Sequence, residues 1–135
     1  MAVLDSTAVT ALGTDVRSVM ARYRTLKRRG QWRAPVVPSV VLVECLRGHP
    51  GRDAQVNQLL VACDVVESLP KALARRAAQL RAAARRGSAV DALVVAYAEL
   101  RDAKVITGDL EDLRTLAEHA NGVTVVPIGS ADAGS

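Results

Sequence analysis

The sequence predicts an α/β fold of three layers, α/β/α, with a short and mainly parallel central sheet. Short apolar, β-branched runs alternate with longer stretches of helical spacing, the pattern of strands joined by covering helices. Two acids, Asp5 and Asp109, follow directly after two of those runs, at the strand ends where parallel sheets bind their ligands. A chain of 135 residues suits one such domain around one core.

Ala2 to Leu4 is an apolar run that ends at Asp5-Ser6-Thr7, as a buried strand running into a helix N-terminus does. Thr14 or Asp15 can cap the next helix, whose apolar positions Val16, Val19, Met20 and Tyr23 keep helical spacing until a basic stretch and Gly30 end it. Pro35 and Pro38 bracket a short extended segment. Ser39 caps a helix through Leu46, which Gly48-His49-Pro50-Gly51 breaks before a further helix from about Arg52 to Ala62. Asp64 to Ser68 holds the β-branched pair of another strand. Pro70 opens a helix from Lys71 to Arg86 with Leu73, Ala77, Leu80 and Ala84 on one face, and Gly87 stops it. Ser88 caps the more apolar helix Ala89 to Leu100. Lys104 to Thr107 is a strand, Leu110 to His119 a helix, Asn121-Gly122 a turn and Val123 to Pro127 the last strand. Residues 1–128 are thus expected to form a single domain, and 129–135, small and polar, a disordered tail.

Composition narrows the function. Half the residues are apolar and about a quarter charged, the balance of a globular chain. Aromatics are limited to Trp32, Tyr23 and Tyr97, which excludes base stacking as a major binding mode. Cys45 and Cys63 sit in apolar stretches without CxxC spacing, so neither a zinc site nor a disulfide framework is indicated and a reduced cytoplasm fits. No stretch has the length of a membrane span, and Asp5 interrupts the place of a secretory h-region. The net charge of +4 is unevenly spread. No acid occurs between Asp15 and Glu44, a window holding Arg17, Arg22, Arg24, Lys27, Arg28, Arg29 and Arg33, and the stretch between Glu67 and Asp91 is as rich in arginine. Basic surroundings and a few clustered acids suit a polyanionic partner, although solvated helix faces would read the same way.

Four acids stand where an acid is locally unexpected. Asp5 ends a buried strand, Glu44 lies within Val-Val-Leu-Val-Glu-Cys-Leu, Asp91 within Ala-Val-Asp-Ala-Leu-Val-Val-Ala, and Asp109 directly follows a strand. A desolvated carboxylate is tolerated when it is paired or when it binds a metal. Convergence on a hard cation, Mg²⁺ or Mn²⁺, explains all four together, with Asp112 as a further ligand of lower rank and Thr7 as a hydroxyl that orients water. Each has a plainer reading. Asp5, Thr7 and Asp109 can cap helices, Glu44 can pair with Arg47, and Asp91 and Asp112 can be first-turn helix acids. His49 and His119 are not placed as an acid and base pair, so metal chemistry outweighs histidine chemistry.

The segments Val-Leu-Asp5-Ser-Thr7-Ala, Val-Val-Leu-Val-Glu44-Cys-Leu-Arg, Val-Asp91-Ala-Leu-Val-Val-Ala and Val-Ile-Thr107-Gly-Asp109-Leu-Glu-Asp112-Leu resemble, in order and spacing, the PIN-domain nucleases. Within that family they are similar to the small VapC-type toxins of bacterial toxin–antitoxin pairs. The resemblance covers essentially the whole chain. It implies a PIN-like domain with Mg²⁺- or Mn²⁺-dependent endoribonuclease activity, an acidic site of Asp5, Glu44, Asp91 and Asp109 with Thr7 at its supporting hydroxyl, a protein antitoxin and a homodimer.

Two other enzyme readings fit less well. A haloacid-dehalogenase phosphatase needs a second Asp two residues after the first, where Thr7 stands, and a receiver domain needs paired acids near the first strand and a late lysine. The alternative from another class is a non-catalytic nucleic-acid or partner-binding module of the same fold, whose acids receive arginines from another protein.

Overall fold

The computed structural model describes residues 1–129; the expected disordered tail, apart from Gly129, lies outside the described residues. Five three- or four-residue strands, β1 (Ala2–Leu4), β2 (Val36–Pro38), β3 (Asp64–Val66), β4 (Lys104–Thr107) and β5 (Val125–Pro127), form one sheet in the order β3-β2-β1-β4-β5. Every pairing is parallel, so the sheet is wholly rather than mainly parallel. Parallel strands need long crossovers, and the helices supply them.

α1 (Ser6–Thr14), α2 (Val16–Arg28), α3 (Leu42–Cys45) and α4 (Pro50–Leu60) pack together, with α1 lying against β1 and β4. α5 (Lys71–Ala84), α6 (Ala89–Arg101) and α7 (Leu110–Glu118) form the other group, in which α6 meets β1 and β4 and α7 meets β5. The central strands are buried on both faces, which explains their unbroken apolar sequence: Val3, Leu4, Val37, Val105 and Ile106 are fully enclosed. Gly13 lets α1 and α4 approach closely, since a Cβ there would stand 3.2 Å from Val56 Cγ2. No described helix is long and apolar enough to cross a membrane.

The structure differs from the sequence reading between residues 39 and 60. In place of one helix from Ser39 to Leu46 there is a 3-10 turn, Ser39–Val41, followed by the single-turn α3. Pro50 and Gly51 do not precede α4 but form its first turn, where a missing N–H costs nothing, and His49 is the cap, its Nδ1 accepting from the Arg52 N–H at 3.4 Å. α5 ends at Ala84, because Arg85 adopts a left-handed conformation.

At the end where the strands begin, Trp32 donates its indole N–H to the Ala62 carbonyl at 2.9 Å and stands edge-on to Tyr23, with ring centroids 5.3 Å apart. It lines a cavity of about 400 Å³ with Met1, Arg22, Arg33, Pro35 and Cys63. Both cysteines are free.

Candidate metal centre

The opposite, carboxyl end of the sheet carries the acids. Asp5 follows β1 directly, its N–H bonded to the Ile106 carbonyl of β4 at 3.3 Å, and its side chain is only 1% exposed. Its Oδ1 accepts the Ala8 N–H at 2.8 Å, capping α1, and the Thr7 hydroxyl at 2.8 Å. Its Oδ2 accepts the Thr107 hydroxyl from the end of β4. The two threonines reach onward: Thr7 Oγ1 accepts the Gly108 N–H at 2.7 Å and Thr107 Oγ1 accepts the Asp109 N–H at 2.8 Å. Each hydroxyl hydrogen is thereby committed to Asp5, while the oxygens hold the loop that presents Asp109. Two donors fill Oδ1 and one meets Oδ2, which leaves a lone pair on Oδ2.

Asp91 lies in the first turn of α6. Its Oδ2 accepts the Ser88 N–H at 3.1 Å and its own N–H donates to Ser88 Oγ at 3.0 Å, a reciprocal capping box. The capping reading of Asp5 and the first-turn reading of Asp91 are therefore correct, but they do not account for the electrostatics. Burial pushes the Asp5 carboxyl above its ordinary value despite three hydrogen bonds that lower it, and the charge of Asp109 adds to the rise. Burial likewise raises Asp91, and the charges of Glu44 and Asp5 push it the same way. The four acids are thus linked by like-charge repulsion, Asp109 with Asp5, and Glu44 and Asp5 with Asp91.

Glu44 differs from its sequence expectation. α3 is not enclosed: Glu44 is exposed, as is the adjacent Val43, and among the described residues Glu44 forms no ion pair with Arg47. Asp109 occupies the N-cap position of α7 without making a capping bond through its side chain. Asp112 is engaged elsewhere, since Arg86 donates to it at 2.5 Å and to Glu111 at 2.8 Å. Among the described residues, no group of three His, Cys, Asp or Glu side chains closes up as a metal-binding cluster. The donor set itself, carboxylate and hydroxyl oxygens with mutually repelling charges, has the hard-ligand chemistry that Mg²⁺ and Mn²⁺ take.

Sequence reasoning found Ser88 as the cap of α6 but missed Thr107 and Asp53. Thr107 carried a signal, a polar residue closing an apolar strand beside an acid. Asp53, a buried carboxylate in α4, carried none, because its partners are backbone amides.

No curated protein matches the chain. Among solved structures, the fold is similar to the crystal structure of PAE2754 from Pyrobaculum aerophilum, with a TM-score of 0.59 at 18% identity over 93% of this chain and 90% of that one. The family model of the PIN domain, generally a nuclease fold, matches residues 2–119. With that match spanning nearly all of the described residues, the chain belongs to the PIN domain family.

Proposed function

We propose that this chain is a Mg²⁺- or Mn²⁺-dependent endoribonuclease acting as the toxin of a toxin–antitoxin pair. The observation that carries the proposal is the set of carboxylates at the carboxyl end of the sheet, with Asp5 and Asp91 raised by burial and by neighbouring acids. Asp5, Glu44, Asp91 and Asp109 hold the metal, and Asp112, tied to Arg86, is a ligand of second rank. When bound, such an ion supplies water activation and charge neutralisation at a phosphodiester. Thr7 and Thr107 hold Asp5 in orientation, and Ser88 does the same for Asp91. The exposed guanidinium of Arg85, three residues before Ser88, positions RNA through its phosphates without reading bases.

RNA rather than DNA, a cognate antitoxin protein, a homodimer and a cytoplasmic setting are supported by the likeness of the motifs to small toxin nucleases, and the last also by two free cysteines. The test is cleavage of RNA by purified chain with Mg²⁺, with Mn²⁺ and with chelator, beside Asp91→Asn. Metal-dependent cutting that the variant lacks supports the proposal; cutting that persists in the variant comes from a contaminant and defeats it. That no three His, Cys, Asp or Glu side chains among the described residues close up as a metal-binding cluster favours one second reading, a non-catalytic module that binds nucleic acid or a partner through the same acids. It is distinguished by binding without turnover. An adjacent reading frame whose product co-purifies with the chain and silences cutting would support the antitoxin.

A further inference from the structure

Glu44 is held by its backbone alone, because no hydrogen bond or ion pair is made by its side chain among the described residues. That backbone belongs to a four-residue helix, and isolated helices shorter than about 12 residues have little stability of their own. Its position must come from what anchors the two ends. Upstream, Val41 is fully buried, and Cys45 holds the inner face against the core. Downstream, the chain leaves the helix at Leu46 in an extended conformation and enters the turn 47–49, with Gly48 at φ +76°.

Asp53, in the first turn of α4 and only 5% exposed, receives the whole of that turn. Its Oδ1 accepts the Arg47 N–H at 2.8 Å, and its Oδ2 accepts those of Gly48 at 2.9 Å and His49 at 3.1 Å. These bonds hold its carboxyl below the ordinary value, so it is charged at neutral pH. Its charge, and that of Glu44, also reach the buried Cys45 thiol between them.

We propose that Asp53 is a positioning residue for Glu44: by gathering three backbone N–H groups it fixes the exit of α3 and hence the place of the Glu44 carboxylate. The role rests on Glu44 belonging to the metal centre. It requires no contact between Asp53 and the metal or RNA.

The test compares wild type with Asp53→Asn, which keeps the side-chain shape but turns an NH₂ toward backbone donors. Gly48→Ala is the second variant. It strains the same turn through its left-handed φ with open space around the Cβ, and serves if Asp53→Asn does not fold. Glu99→Gln, which loosens the Arg76 and Asn121 contacts of the other helical group, controls for general destabilisation. Amide hydrogen exchange at residues 42–49 and the Mn²⁺ dissociation constant are measured in all four. Exchange in that segment is expected to quicken and the Mn²⁺ dissociation constant to rise about 10-fold in the two turn variants, with the KM for RNA unchanged. Glu99→Gln is expected to change neither locally. The proposal is overturned if exchange rises only in step with global stability, as in the control, or if a loosened turn leaves Mn²⁺ affinity at the wild-type value. A wild-type chain that bound no Mn²⁺ would defeat the nuclease reading instead, and exchange at 42–46 would still decide whether Asp53 fixes α3.

Discussion

Burial and like charge both act on Asp91, as they do on Asp5, and the sign of its effect on stability follows. A carboxyl raised above its unfolded value binds protons more readily in the native state. Stability therefore falls as pH rises from the unfolded value of 3.8 through the folded one, and the penalty persists above it. Asp91→Asn removes the charge and keeps an oxygen for the Ser88 N–H. Without metal at pH 7 the variant should melt no lower than wild type, although it cuts no RNA; a lower melting temperature in calorimetry would contradict the assignment of burial as the main cause. Asp53 has the opposite sign. Its carboxyl is lowered by backbone N–H bonds, so its stabilisation is complete above the unfolded value of 3.8 and disappears as pH falls through the folded one. Wild type should exceed Asp53→Asn in stability at pH 7, and the gap should close below about pH 4, which denaturant titrations at the two pH values can check. Asp5, Glu44, Asp91 and Asp109 stood out as candidates in sequence because each interrupts or follows an apolar run. Thr107 was less so, its partner Asp5 being 102 positions away, and Asp53 was not, since a carboxylate serving backbone amides looks in sequence like any first-turn acid.

The elements at the carboxyl end of the sheet are fixed by their connections more than by their own propensities. The link from α5 to α6 passes through Arg85 in the left-handed region, Arg86 bridged to the first turn of α7, and Gly87 at φ +86°. A Cβ at Gly87 would meet Leu116 Cδ1 at 2.7 Å, and the Cβ of Asp91 lies 3.6 Å away. Gly87→Ala therefore combines backbone strain with displacement of a core leucine. It should cost more than about 1 kcal/mol of unfolding free energy in urea titration and should reduce cleavage as well, because the strained turn leads into the Asp91 capping box. A variant with wild-type stability and activity would show that this turn is not a support of the site. Gly87 marked the stop of α5 in sequence, but the helix ends earlier, at Ala84, where Arg85 turns left-handed. The start of α4 was read two residues late, at Arg52, because Pro50 and Gly51 look like breakers in sequence, whereas a proline is tolerated in the first turn of a helix.

At the scale of the whole molecule, the parallel sheet and its layers were legible because strands buried on both faces must be continuously apolar, and only long crossovers join them. The basic windows were legible as composition but not as placement. α2 lies toward the strand starts, where Arg22 and Arg33 line the cavity, whereas Arg81 and Arg85 stand exposed at the end of α5, which leads into α6. Charge reversal at Arg85 should flatten the salt dependence of RNA binding more than reversal at Arg22; equal slopes, measured by fluorescence polarisation over a salt series, would spread the contact over both ends. The same polarity gives Trp32 a use. The lone indole sits against Tyr23 and the Ala62 carbonyl, at the far end of the strands from the acids. It is an internal fluorophore whose emission should follow unfolding and stay unchanged when Mn²⁺ is added to the folded chain, so that melting curves can be compared with and without the ion.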